Sequence, residues 1–597
     1  MEKTKFCAEY LKMSTPLFFT IAKSARSLNS MRERLSELIN QMVFDTFCDY
    51  SKMEEGSIIR IRDCAQALQM LLSRRSEDLS GFSVAKAIRD IARGIARPDL
   101  TPAFYAELLH ILLGLHGRGP GKALVDIHLS TTDLKGREAA IVRSNQLDFL
   151  WKEVEKKLSS YTTGLDHDSK ERRNKRRQKI LEVLGGSESD WYNWHWQISH
   201  IVKDLDLLEK LVVLRDEEKQ AIYEARKRRL PFGITPHYLS LMDDDPENRR
   251  DAAIRAQVIP TLDYVINMSE LRARDSSCLD FMREEDTSPC DLITRRYPAI
   301  CIFKPFNTCP QICVYCQRNW EIEDAMAKGA FAGMEAIEKA VEWIRNHPAI
   351  HEVLITGGDP LALTDESLKK ILDLVASIPS IERIRIGTRT PVTIPMRITK
   401  ETAQLLGSYR IPGRREVALV THIQHTYEIT PEVVDAVQNL REHCIPVYNQ
   451  LVYTFYVSRR FEAAALRRLL RLIGVDPYYT FNTKGKEETK DYRVPIARLL
   501  QEQKEEARLL PGLARTDEAV FNVPGLGKNY LRAKQQRDLL SILPDGSRVY
   551  EFHPWEKNIS RTTQTYVGKD VPILEYLERL EEIGESVSDY ETIWYYF

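Results

Sequence analysis

Long apolar runs are scarce in this chain. The longest near its start, 16–22, is seven residues, well short of the roughly 20 that cross a bilayer, and no signal-peptide cleavage pattern surrounds it. Charge of one sign is missing too: 29% of the residues are charged, yet they sum to -1. No global field therefore draws nucleic acid or an anionic membrane, and the reading is against both as partners. The 10 cysteines lack the regular spacing of a disulfide scaffold, which argues against a secreted, cross-linked domain. A soluble, cytoplasmic protein is expected. With 597 residues the chain exceeds one ordinary core, so division into domains is expected.

What is present divides by texture. Up to about residue 160, apolar residues recur at i, i+3 and i+4 in 31–47, 65–75, 103–115 and 145–158, the pattern of amphipathic helices. Residues 1–185 read as a mainly α-helical N-terminal domain, for which an interaction or assembly role is expected, and 186–298 as a helical lead-in. The stretch 116–122 has the look of a phosphate loop, but its first glycine is misplaced and Ala123 stands where Ser or Thr must hold magnesium. The basic run 170–179 reads as a solvated helix or linker.

From about Ala299, short β-rich runs (300–303, 352–356, 383–387, 417–422, 447–453 and 478–481) alternate with helical patterns (335–345, 366–376, 431–442 and 461–472). Alternation of this kind is the image of parallel βα units with right-handed crossovers. The expected fold is α/β: a partial (β/α)6 TIM-type barrel over 299–530, then a C-terminal extension over 531–597. In such barrels the site lies at the carboxyl ends of the strands.

Cys309, Cys313 and Cys316 follow the first of those strands in a C-x3-C-x2-C spacing. A structural zinc site needs four closed ligands, and no fourth cysteine or well-placed histidine is near. Three thiolates suit a four-iron cluster with one iron left open. Gly357, Gly358 and Asp359 end the second strand. Near the end of the barrel region, 522–528 join a glycine-rich turn to Lys528. Alone, that stretch is a turn with an exposed lysine, although glycines let backbone approach a phosphate and a lysine amine can attach a carbonyl cofactor.

In this order the motifs resemble the lysine 2,3-aminomutase family of radical S-adenosylmethionine (radical SAM) enzymes. Further ordered matches are Asp190 and Trp191 with Trp194 and Trp196, then 234–241, 286–289, 296–298, 385–391, 421–425 with 428–430, and 449–450, so the resemblance spans roughly 190–529. It implies a [4Fe-4S] cluster on Cys309, Cys313 and Cys316, and S-adenosylmethionine against Gly357, Gly358, Asp359, His422 and Gln450. It also implies pyridoxal 5'-phosphate joined to Lys528 as a Schiff base and gripped by Arg296 and Tyr297. The implied chemistry is reductive cleavage of S-adenosylmethionine to a 5'-deoxyadenosyl radical, which takes hydrogen from the β-carbon of a bound amino acid. The amino group then migrates from the α- to the β-carbon. A one-electron donor such as flavodoxin or ferredoxin, a reducing compartment and a homo-oligomer are expected with it.

For the substrate, Arg318 matches the arginine that binds the amino-acid carboxylate, and a bidentate fork suits that task. Lysine-specific members set two aspartates against the distal ammonium group; this chain has Lys484 at the first position and Asn522 on or beside the second. A lysine there would place like charges together in a dry site. The pair resembles members that isomerise glutamate, so L-glutamate is the expected substrate. The alternatives are aspartate, lysine, an epimerisation or a carrier-bound amino acid, and a solvated loop for the polar 484–490. The chain departs from the family pattern at Ile300, where a phosphate-binding arginine is expected, and at Gln317, Asn319 and Trp320, where a more basic run is usual. Its tail after Lys528 has no cysteine for the structural zinc of some relatives.

Overall fold

Nine strands form one sheet in simple sequence order. β1 (Ile293–Tyr297) lies antiparallel to β2 (Ile300–Phe306). From β2 the sheet runs parallel through β3 (Glu352–Gly357), β4 (Arg383–Gly387), β5 (Glu416–Thr421), β6 (Val447–Tyr453), β7 (Val475–Asn482) and β8 (Glu518–Val523). β9 (Gly527–Tyr530) then turns back antiparallel on β8. Among the described residues β1 and β9 share no register, so the barrel is partial and open. The structure, a computed structural model, describes residues 3–48, 55–119, 134–274, 279–280, 282–318, 321–483, 487–553 and 565–597.

The six expected strands are β2 to β7. β1, β8 and β9 extend the sheet beyond them, and their polar stretches, Thr294–Arg296 in β1 and Lys528–Asn529 in β9, hide the strand signal of branched and aromatic residues. Helices Met334–Arg345, Asp365–Ala376, Pro431–Glu442 and Glu462–Ile473 alternate with the strands. Successive strand residues point to opposite faces. Val353, Ile355, Ile384 and Ile386 are buried in the main core, whereas Leu354, Thr356, Arg385, Gln450 and Val452 line a cavity on the other face. A parallel sheet covered on both sides reads as continuous apolar runs; this polar inner face marks a site.

Helices from Ala8–Ser14 to Pro102–Leu115 enclose a second core containing Leu35, Leu68, Ile88 and Phe104. That core is docked on a separate antiparallel sheet of β10 (Arg537–Ile542), β11 (Arg548–Phe552) and β12 (Tyr566–Lys569). Ile542 enters it. Arg548 pairs with Glu107 at 3.0 Å, both side chains being 1% exposed, so the two ends of the chain are held together by a charge pair that neither end can leave uncompensated.

The basic run lies in the helix His167–Leu184, and much of it is solvent-facing as expected, except for two of its arginines. Arg173 and Arg176 are buried and pair with Glu432 and Asp244. Spacing three apart places both on one face of the helix, where they clamp it to neighbouring elements. Residues 120–133, including the end of the glycine-rich stretch at 116–122, lie outside the described residues. Among the described residues no helix is long and apolar enough to cross a membrane.

Candidate active site

The loop after β2 carries the three cysteines and is pinned by the lead-in segment. Ile312 N–H donates to the Gly233 carbonyl at 3.0 Å and Val314 N–H to the Gln257 carbonyl at 2.8 Å. Cys309, Cys313 and Cys316 line a cavity of about 370 Å³ at the carboxyl ends of the strands, within the size range of small-molecule sites. Gly357, Gly358, Asp359, His422, Gln450, Arg318 and Asn522 line the same cavity. A larger cleft of about 1030 Å³ lies elsewhere, against 215–220, 247–263 and 579–584; of the stretches singled out from the sequence it takes in His425, and none of the residues expected to hold a cofactor or the substrate.

The turn after β3 is pressed onto the start of the cysteine loop. Gly358 N–H donates to the Phe306 carbonyl at 2.7 Å and Asp359 N–H to the Thr308 carbonyl at 2.9 Å. A β-carbon on Gly358 would lie 2.0 Å from the Thr308 carbonyl oxygen and 2.4 Å from its nitrogen. Gly358→Ala is therefore expected to cost about 1–3 kcal/mol by forcing backbone apart, read as a lowered thermal midpoint, and to reduce the iron taken up on reconstitution because Cys309 is displaced. The Asp359 carboxylate accepts from Thr388 Oγ1 at 2.5 Å, Arg389 N–H at 2.8 Å and Leu361 N–H at 3.1 Å. Burial raises its pKa and these hydrogen bonds work the other way; its carboxylate ties the β3 and β4 turns together.

Arg389, two residues past β4, is the hub of the site. It donates through Nη1 to Cys313 Sγ at 2.9 Å, through Nη2 to Glu428 Oε1 at 2.6 Å and Tyr238 Oη at 3.2 Å, and through Nε to the His422 carbonyl at 3.2 Å. Nη2 also contacts Gln257 Oε1. Burial opposes its charge, but Cys313, Tyr238 and Glu428 outweigh burial and hold the guanidinium protonated. His422 Nδ1 is 3.1 Å from the Gln450 carbonyl. Burial and then Arg389 push its pKa down to about 4, so the imidazole is neutral at ordinary pH.

The sulfurs fit an iron cluster better than a single ion. Zn–S bonds of about 2.3 Å bring tetrahedral thiolates within about 4 Å of one another. Among the described residues, the one trio of possible ligands whose donor atoms all lie within 4.8 Å is Asp538, Glu551 and His553. That trio sits in the C-terminal sheet, where Arg75 already pairs with Glu551; the cysteines are set wider. Burial, with Asp359 and the other two cysteines, raises the Cys309 thiol well above its ordinary range. Three thiolates facing one cavity need a positive centre between them, which an iron cluster would supply.

On the opposite wall, β8 and β9 form a hairpin in which Asn522 is the direct cross-strand partner of Lys528. Gly525 and Gly527 take φ of 67° and 88° in its turn, a conformation open to glycine. Lys528 Nζ lies 5.1 Å from the centre of the Tyr297 ring and 5.3 Å from that of Tyr479. Arg296, next to Tyr297 on β1, contacts the Met282 carbonyl. Arg385 lines the cavity, and its Nε is buried without a hydrogen-bond partner. The same guanidinium pairs through Nη2 with Glu352 at 3.2 Å and donates through Nη1 to Tyr478 Oη at 3.3 Å, so Nε is the donor it leaves open to an anionic cofactor group, in a chain where Ile300 offers no charge. Lys484, Asn319 and Trp320 lie outside the described residues.

Arg318 lines the cavity already paired: Nη2 contacts Glu284 Oε2, and Nη1 donates to Glu321 Oε2 at 3.3 Å. Sequence reasoning did not assign Arg389, Glu428, Gln257, Glu284 or Arg385 to the site. Arg389 and Arg385 carried a usable signal, since both fall in or just after a strand of the barrel. Glu284 carried none.

Residues 303–465 match the Radical SAM superfamily. An uncharacterised KamA family protein of Methanocaldococcus jannaschii is 44% identical over 97% of this chain and 95% of its own length. The glutamate 2,3-aminomutase of Clostridioides difficile is 35% identical over 58% of this chain and 78% of its own. The L-lysine 2,3-aminomutase of Clostridium subterminale is 33% identical over 54% and 73%. With this cavity at the carboxyl ends of its strands and these relatives, the chain belongs to the KamA family of radical SAM enzymes and is an isomerase of the aminomutase class.

Proposed function

We propose that this chain is a pyridoxal 5'-phosphate-dependent 2,3-aminomutase that moves the α-amino group of L-glutamate to the β-carbon. One observation carries the reading: Lys528 and Asn522 face each other across one hairpin, and Asn522 lines the cavity that the cysteine loop closes from the other side. Lys528 itself does not line that cavity; its register with Asn522 would set the lysine for a carbonyl cofactor beside the space that the cysteines border. When bound, the cluster with S-adenosylmethionine would supply a radical, and the pyridoxal ring a conjugated system to stabilise it.

The protein's part is to hold and enclose. Cys309, Cys313 and Cys316 would hold the cluster, with Arg389 fixing Cys313. Gly357, Gly358, Asp359, His422 and Gln450 would border S-adenosylmethionine. Lys528 would attach pyridoxal phosphate between Tyr297 and Tyr479, with Arg296 and Arg385 as cations for its phosphate. Arg318 would take the α-carboxylate. Lys484 and Asn522 would take the distal carboxylate of glutamate, a choice supported by the glutamate-specific relative and by the absence of an acidic residue at either position. The electron would come from a small carrier such as flavodoxin or ferredoxin, and the working form would be a homo-oligomer.

Lys528→Ala tests the pyridoxal part. The wild-type protein is expected to take up pyridoxal phosphate with an imine absorption band that borohydride fixes on Lys528, and the variant to show no band. A band retained in the variant, or borohydride labelling at another lysine, contradicts the reading.

A further inference from the structure

Glu284 is a cavity-lining carboxylate placed between two cations. Its Oε2 contacts Arg318 Nη2 and is 3.7 Å from Lys304 Nζ. The three side chains are 12%, 11% and 18% exposed, so water screens them little and each charge depends on the others. Lys304 projects from β2 beside Gly357, where a β-carbon would meet its own β-carbon at 3.1 Å. Burial and Arg318 push the Lys304 ammonium below the ordinary lysine range, so it gains from added negative charge beside it.

We infer that Glu284 is an exchangeable stand-in for the substrate carboxylate, and that Lys304 is the seat it moves to when a substrate carboxylate occupies Arg318. This rests on the proposed role of Arg318. As the protein stands, Arg318 is compensated by Glu284 and Glu321, and an arriving carboxylate meets a like charge on the cation it needs. Leaving Glu284 buried without a partner would cancel the gain of binding. Lys304 removes that cost, because the oxygen that leaves Arg318 already lies near its ammonium group and a small side-chain rotation completes the transfer. Glu284 and Lys304 are positioning residues: they keep Arg318 paired while the site is empty and make its release conditional on a carboxylate.

The exchange predicts non-additivity, which independent electrostatic effects do not. The measurement is calorimetric titration of the reconstituted protein with L-glutamate and with L-2-aminobutyrate, which carries only the α-carboxylate. Glu284→Gln is expected to bind both about tenfold more tightly, and Lys304→Met about tenfold more weakly, because the displaced Glu284 then has no seat. In the double variant nothing is displaced, so affinity is expected to return to within about threefold of Glu284→Gln. Thermal midpoints identify any variant that fails to fold, and Lys304→Arg is expected to retain wild-type affinity. If the two effects multiply independently, or Glu284→Gln leaves affinity unchanged, the exchange is refuted while Arg318 keeps its role. If neither amino acid binds to any variant, both the exchange and the substrate reading fall.

Discussion

Replacing Arg389 with methionine is expected to lower stability by about 3–5 kcal/mol, the usual loss when one partner of a buried ion pair is removed. Glu428 is 0% exposed and would keep hydrogen bonds from Tyr238 Oη, Gln257 Nε2 and the N–H groups of Gln424 and His425, but its charge would be uncompensated. The same change frees Cys313 and the segment ending at His422 from a common anchor, so iron uptake should fall together with stability. Chemical denaturation of the purified protein gives the first quantity and iron analysis the second. Adding Glu428→Gln to the variant should restore much of the stability and little of the iron binding. A single variant as stable as the wild type would show that the Glu428 hydrogen bonds alone hold its charge.

Alanine at Cys309, Cys313 or Cys316 is expected to have the largest effect on activity. Each variant should fail to form the iron–sulfur chromophore on anaerobic reconstitution and to cleave S-adenosylmethionine when reduced. The thiols differ in setting: Cys309 is raised well above its ordinary range by burial, Asp359 and its fellow cysteines, while Arg389 donates to Cys313. Loss of any one ligand breaks the same cluster, so the three losses should be alike. Cys301 is the control. It is 1% exposed on β2, burial pushes its thiol up to about 12, and it does not line the cavity, so Cys301→Ala should keep its iron. A full cluster in Cys313→Ala would remove that residue from the ligand set.

Strands β2 to β7 were legible as short apolar, β-rich runs separated by helical patterns, and the cysteine spacing was legible because it is local. Gly358 was legible as a glycine, while its reason, contact with the Thr308 backbone, is a property of two loops that meet only in the fold. β8 and β9 were not read as strands. Asn522 and Lys528 are six positions apart in sequence, and only the hairpin register makes them neighbours. The basic run at 170–179 looked like surface because sequence gives no sign of Glu432 and Asp244, which bury two of its arginines. The link between Glu284, Lys304 and Arg318 was invisible for the same reason: it joins residues on a turn, a strand and the cysteine loop. The N-terminal helices were recognised by periodicity, but their contact with β10 at the far end of the chain was not foreseeable from it.

The most direct test is anaerobic incubation of the reconstituted, reduced protein with S-adenosylmethionine, pyridoxal phosphate and, separately, L-glutamate, L-aspartate and L-lysine, with product isomers read by mass spectrometry. β-Glutamate, formed by the wild type and lost in Lys528→Ala, is the predicted result. β-Lysine as the preferred product would contradict the charge assignment of Lys484 and Asn522, and no β-amino acid from any of the three, with cluster and cofactor both bound, would contradict the proposed reaction on free amino acids.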